Sequence, residues 1–536
     1  MQASNEMDRR RFLGACAAVP VLGGLMPAQN AHATKSPANN AYQIYWGDLH
    51  NHNAVGYAKG SLERSFRIAR GLLDFHTFTP HSQWPDMPAV SPETRAKFEH
   101  GFQIVRERWP EVQRMCAEYH EPGRFVTFPG YEWHSSAYGD YCLIFPRDNA
   151  PLKAFGDLKA LQAFARDERI LLIPHHPGNR QGNRGANFDT LTTDVSPVLE
   201  IYSEWGNAER DDAPYPYVRH SHGGVWTKNT WQYALEAGLR LGAVAGTDDH
   251  FGYPGAYREG LTAILAPELT REALFDALKQ RRTYGVTGDR IALDYRLNSH
   301  FMGESLPFSE QRHIAVNVAG WGDIEEVEVV KNNRVIHRDH PIDRPISEGS
   351  WSKPVLVRME FGWGPWASLD AARICDWRMR VEIAGGVINA IQPCFQSGPC
   401  EESKFDRIYD RTAVSCAVES FTSRRQAFAE DDTKGLVLNL SAKPDTRLRV
   451  DLEAPVPRHI DRPLSDFVGA NDIFWTGSYP SESLRIQRIA FAQRHSTQFE
   501  ITDTGNGETV DWYYARVRQA NGQLAWSSPI WVEAKG

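Results

Sequence analysis

"GDLHNH", Gly47–His52, follows the apolar run "YQIYW", Tyr42–Trp46, and places two histidines at positions i and i+2. In an extended strand such residues point to the same face, so both rings can reach one point. The arrangement then recurs along the chain. His81 closes "LDFHTFTPH", Glu132 ends "FVTFPGYE", His175 and His176 end "ILLIPHH", and Asp248 and His250 end "LGAVAGTDDH". Each stands where an apolar strand gives way to a loop, a placement that unrelated core histidines would not be expected to repeat.

Between these strands the spacing turns helical. Leu62, Phe66, Ala69 and Leu73 recur after a Ser61 cap, and Leu274 and Leu278 recur after Thr270. Alternating strands and helices over residues 41–290 predict an α/β fold with a parallel sheet or barrel. Its functional groups would lie at the carboxyl ends of the strands. After residue 291 the texture changes to short alternating strands with Asn and Gly turns: "HIAVNV", "VEVVKNNRVIH", "LVLNLSA", "RLRVDLE" and "WYYARVRQANGQLAWSSPIWV". Residues 291–536 are therefore expected to form a β-rich, sandwich-like C-terminal domain.

The composition is that of a globular chain, and the net charge of −8 with no long basic run argues against a nucleic-acid partner. The first 33 residues read as a twin-arginine signal peptide. Arg9, Arg10 and Arg11 precede Phe12–Leu13, a mildly apolar stretch follows, and Ala31–His32–Ala33 forms a cleavage signal. The apolar part, Phe12 to Met26, carries Gly and Pro and is short for a membrane span. The expectation is a periplasmic or secreted protein, without stable membrane insertion once the signal is cleaved. Loss of Cys16 leaves six cysteines, with Cys394 and Cys400 the closest pair for a disulfide; no C-x-x-C thiolate site occurs.

Imidazoles combined with carboxylates are the donor set of Zn, Mn or Fe, and a carboxylate is able to bridge two ions. The order H-x-H, Thr-x-His, Glu, His-Pro, Asp-x-His resembles the PHP (polymerase and histidinol phosphatase) superfamily. "GDLHNH…GYAKGS", "AGTDDHFGYPG", "LTREALFDALKQRRTYGVTGDRI" and "YYARVRQ" look like an exported PHP-like family of largely unknown function, related to CehA/McbA-type metallohydrolases. The resemblance implies a distorted (β/α)7 barrel over 41–290. It implies His50, His52, Glu132 and Asp248 around one divalent ion, with Glu132 bridging to a second ion that His81 also binds. His176 and His250 would complete the cluster, His176 being preferred over His175 because it precedes Pro177. Glu132, Asp248 and His176 are the implied catalytic group.

Three positions depart from the family pattern. Pro80 stands before His81 where an acidic residue is usual. "AVGYA" lacks the histidine that a third ion needs, and "GDYCLIF" has Asp140 or Tyr141 where relatives place a histidine. His220 and His222 in "RHSHGG" are candidate replacements, with a plain loop pair the weightier reading. Trp84, Trp133, Trp205, Trp226 and Trp231 crowd the loops. They read either as core or as an apolar pocket for a leaving group. His175, Tyr202, Glu204 and Trp133 are the candidate substrate contacts, and Arg281 or Arg282 could hold an anion.

The expected activity is hydrolysis with a metal-activated hydroxide, acting on a small ester-type substrate, first of all a phosphoester. A carbamate, carboxyl ester or amide with an aryl or apolar leaving group is the alternative. A non-enzymatic glycan-binding envelope protein is the rival from another class.

Overall fold

The computed structural model describes residues 34–35, 41–217, 222–362, 374–397, 400–423, 433–479 and 481–536. The signal segment expected over 1–33, and His220, lie outside the described residues. Strand β1, Gln43–Asp48, is buried from Ile44 onward, as a continuous apolar run covered on both faces requires. Helix α1, Leu62–Leu72, starts at Ser61, whose side chain accepts the Arg64 backbone N–H. It buries Leu62, Phe66, Ala69 and Leu72 on one face. Then come β2, Phe75–Phe78, and β3, His81–Gln83. The long helix α2, Pro92–Tyr119, leads to β4, Val126–Trp133, and β5, Asp140–Ile144. Helix α3, Leu158–Glu168, precedes β6, Leu171–His175, and β7, Val198–Ser203. Next are α4, Trp231–Glu236, β8, Gly242–Ala245, and β9, Leu261–Ala266. The series ends with α5, Arg271–Lys279, capped by Thr270, and β10, Thr283–Val286.

The fold is mixed α/β. One ladder runs β6–β5–β4–β2–β1–β9–β10. Within it β1, β2 and β4 are parallel, whereas β5, β6, β9 and β10 join antiparallel. Strands β7 and β8 pair in parallel in a separate small sheet. Among the described residues the hydrogen-bonded path stays open, so a closed seven-stranded ring is not what the ladder draws.

The division expected at 290/291 is crossed by strand pairing. Residues Leu524–Ser527 pair antiparallel with β10, Trp526 lying opposite Gly285. Asp511–Gln519 and Ile530–Val532 extend the same sheet. The described residues accordingly form one compact unit. The rest of the C-terminal half is sheet-rich. A six-stranded antiparallel sheet contains Val355–Phe361 and a five-stranded one contains Ile374–Ala384; their inner faces share one apolar core of Val357, Met359, Trp377 and Met379. Cys394 and Cys400 are both free thiols, so the expected disulfide is absent. Cys394 instead lies against the Arg358 guanidinium at 3.4 Å.

A buried polar knot fastens the two halves. Asp289 accepts from Arg358, Gln392, Gln519, Asn521 and Tyr257 at 2.6–3.0 Å.

Candidate metal centre

The carboxyl ends of β1, β4, β6 and β8 converge. Asp48, the last residue of β1, accepts from the backbone N–H of His50 and from Thr247 and Gly255. It thereby ties the His50 loop to the loop after β8. Gly246 is required in that loop, because a Cβ there would lie 2.7 Å from both Glu200 Oε2 and His50 Cβ. Asp248 and His176 take left-handed backbone angles, φ 53° and 29°, a conformation that non-glycine residues hold only where surrounding structure enforces it.

Glu132 lies at the centre, fully buried. Its two oxygens face different histidines. Oε2 is 3.4 Å from His52 Nε2, 3.4 Å from His81 Nε2 and 3.6 Å from His50 Nε2. Oε1 is 2.6 Å from His175 Nε2 and 2.8 Å from His134 Nε2. Asp248 Oδ1 closes the first group, 2.9 Å from His52 Nε2 and 3.3 Å from His50 Nε2. The His50 and His52 Nε2 atoms are themselves 3.2 Å apart. Two donors each ~2.1 Å from one tetrahedral ion stand about 3.4 Å apart. The spacing of the first group is close to that edge.

The electrostatics ask for cations. Glu132, Asp140, Glu200 and Asp248 are all buried, and buried charge is tolerated only when paired or coordinated. Glu132 Oε2 receives no hydrogen bond. Burial alone would raise the Glu132 pKa, but His134, His175 and His81 outweigh it and hold the carboxyl well below its ordinary range. Burial drives His175 down to about 3 and His52 to about 4. The neutral ring these shifts favour is the form that ligates. Glu200 Oε2, 2.9 Å from His50 Nδ1, fixes that ring with Nε2 toward the cluster. The donor set therefore fits divalent ions. The groups able to hold one include His50–His52–Asp248, His52–His81–His250, His81–Glu132–His134 and Asp140–His175–His176.

A cavity of about 570 Å³ opens over the cluster, lined by Tyr57, Phe98, Arg184, Glu204, Trp205 and His222 together with the histidines. His250 stands at its mouth, Nδ1 donating to the Asp248 carbonyl at 2.7 Å and lying 3.4 Å from Glu204.

His50, His52, His81, Glu132, Asp248 and His250 are thus brought together. The preference for His176 over His175 is reversed at the central carboxylate. His175 touches Glu132, whereas His176 Nε2 sits 3.2 Å from Asp140 Oδ2. Two candidate substrate contacts lie elsewhere. Trp133, next to Glu132 in β4, points to the opposite face and donates to the Phe155 carbonyl in the core. Tyr202 is buried against Trp526, its hydroxyl on the Arg258 carbonyl. Trp231 is also core. Arg281 and Arg282 serve the Gly303 carbonyl and Asp276 and do not line the cavity.

Sequence reasoning missed His134, Glu200, Arg184 and the direct part of Asp140. For His134 a signal was present. Glu132-x-His134 repeats the i, i+2 rule that singled out His50 and His52.

Residues 229–313, which carry Asp248 and His250, match a family described as proteins of unknown function (DUF3604). An uncharacterized protein of Chlamydia trachomatis serovar D is 26% identical over 328 residues, 57% of this chain and 50% of that one. One from Chlamydia muridarum is 26% identical over 322 residues, 56% and 49% of the two chains. The chain spans about half the length of these curated relatives. Among solved structures, a two-domain protein from Bacteroides vulgatus containing a predicted PHP-like metal-dependent phosphoesterase is similar with a TM-score of 0.32 and 10% identity. The match covers 81% of this chain and 99% of that one. A likeness that low fixes neither fold nor activity.

Proposed function

We propose that the chain is an exported metal-dependent hydrolase that acts on a small phosphoester. The observation that carries this reading is Glu132, a buried carboxylate with His52 and His81 nitrogens facing one oxygen and His134 and His175 nitrogens facing the other. His50, His52, Asp248 and Glu132 Oε2 would hold one divalent ion, and Glu132 Oε1, His134 and His175 a second. Zn, Mn and Fe suit these donors. When bound, such ions supply Lewis acidity toward water and toward an ester under attack.

The chain's own residues do the rest. Glu200 and the Asp48 network hold the first-group donors in place before substrate arrives. Tyr57, stacked on His81, and Phe98 wall off water on one side, and Trp205 does so on the other. His250 and Glu204, the half-exposed pair at the mouth, are placed to exchange a proton with a departing group. Burial would lower the His250 pKa, but the Glu204 hydrogen bond and the Asp248 charge outweigh it and raise it. In this reading β1 to β10 form a distorted PHP-like barrel, and the N-terminal segment directs export.

The aromatic wall favours a second reading, in which the scissile group is a carbamate or carboxyl ester with an aryl leaving group. One experiment separates the two. The chain is stripped of metal, reconstituted with Zn, Mn or Fe, and assayed on p-nitrophenyl phosphate, its diester and p-nitrophenyl acetate. Metal-dependent turnover of a phosphoester supports the proposal. Turnover of the acetate alone supports the second reading, and no turnover with fully loaded metal overturns both.

A further inference from the structure

One side of the centre already holds a cation. Asp140 Oδ2 is bonded by Arg184 Nη2, lies 3.2 Å from His176 Nε2 and is 3.9 Å from His175 Nε2. Asp140, His175 and His176 otherwise have the donors and spacing for an ion. We propose that the Arg184 guanidinium is a resident cation that takes the place of a further divalent ion at Asp140 and His176, His175 being kept for the ion beside Glu132 Oε1. This rests on the metal reading above.

The placement of Arg184 is built in rather than adventitious. Its backbone has φ 65° and its N–H donates to the Ser136 carbonyl at 3.0 Å. Gly185 follows because a Cβ there would lie 1.7 Å from the Asn179 carbonyl oxygen. The buried Asn229 amide closes the loop by donating to the carbonyls of Pro177, Asn179 and Ala186 at 2.7–3.0 Å. The guanidinium lies 4.8 Å over the Trp84 ring, with Nη1 at 3.1 Å from His222 Nε2. A guanidinium stacked and forked in this way keeps its charge at any accessible pH. It uses the Asp140 oxygen that an ion would need, and its fixed charge repels a dication at His176. Asp140 Oδ1 is also taken, by the Ser135 N–H at 3.0 Å.

The test counts ions in the full chain after equilibration with Mn²⁺ and removal of free metal, by elemental analysis. Arg184→Gln is expected to carry one more ion per chain than wild type. Arg184→Lys, which keeps the charge, is expected to match wild type. Adding Asp140→Asn to Arg184→Gln should return the count to the wild-type value. An Arg184→Gln protein that melts like wild type and holds the wild-type number of ions overturns the proposal, as does a gain in Arg184→Lys. If Arg184→Gln does not fold, anomalous diffraction from wild-type crystals decides. Density around Glu132 but none within bonding distance of Asp140 supports the assignment, and an ion on Asp140 overturns it. Wild type without any ion removes the metal reading itself, a distinguishable failure.

Discussion

Replacing Glu200 isolates the support of a ligand from the ligand itself. Glu200 Oε2 is 2.9 Å from His50 Nδ1, and both groups are buried. A hydrogen bond to a charged group in such a site contributes about 1.5–3 kcal/mol. If that energy acts on the orientation of His50, its loss weakens metal binding by roughly 10- to 150-fold, at about 1.4 kcal/mol per decade. Glu200→Ala is expected near the upper end, because it also leaves a buried imidazole N–H without an acceptor. Glu200→Gln keeps an acceptor oxygen and the shape, and should cost about 10-fold or less. The assay is Zn²⁺ competition against a chromophoric chelator, with thermal midpoints of the metal-free chain as a control for folding. Burial, partly offset by His50, raises the Glu200 carboxyl to about 7. The charge is therefore present above that pH and is lost as pH falls through it. The gap between wild type and Glu200→Gln should accordingly shrink below about pH 7. A folded Glu200→Ala chain with Zn²⁺ affinity within twofold of wild type would show that Glu200 does not hold His50 for metal.

Three further outcomes follow from particular residues. Burial pushes His76 down to about 3, against an unfolded value near 6.5, so the folded ring stays neutral while the unfolded one charges. Its stabilisation is complete above pH 6.5 and is lost as pH falls toward 3, at up to ~1.4 kcal/mol per unit; His76→Gln should flatten the pH dependence of the urea midpoint, and an unchanged slope would count against it. Arg358→Met removes the cation from Asp289 and should cost about 3 kcal/mol in urea unfolding, the low end for a broken buried pair because neutral donors remain on Asp289; a loss under 1 kcal/mol would show that those donors suffice. Changing Arg9, Arg10 and Arg11 to Lys should hold the protein in the cytoplasm with metal still bound, and export of that variant would mean a different signal.

The part of the site readable from sequence is the part built on strand ends. His50, His52, His81, Glu132 and Asp248 each follow an apolar run, and alternation puts neighbours i and i+2 on one face. The same rule applied to Glu132 would have found His134 and sent Trp133 to the core. It fails at Glu200 and Tyr202. The register of β7 against β8 skips a residue between them, so Val244 faces Glu200 while Ala245 faces Tyr202. Such a bulge breaks alternation and carries no pattern of its own. Arg184 was hidden for another reason. It sits in a loop whose path is set by Asn229, 45 residues later, and by the absent side chain of Gly185. The fold shows the same division. Strands and turns near the C-terminus, including the Asn521–Gly522 turn, follow local chemistry. Their partner β10 lies some 240 residues earlier, and no periodicity encodes that choice.

The most direct measurement is the metal content of the gently purified chain, wild type beside Glu132→Ala, with turnover measured on the same samples. About two divalent ions are expected per wild-type chain. Glu132→Ala should lose at least one ion, with turnover lower by orders of magnitude, because both groups of donors lose a shared carboxylate. A wild-type chain that is active without any bound ion, or a Glu132→Ala chain with two ions and a normal rate, would rule out a two-ion centre bridged by Glu132.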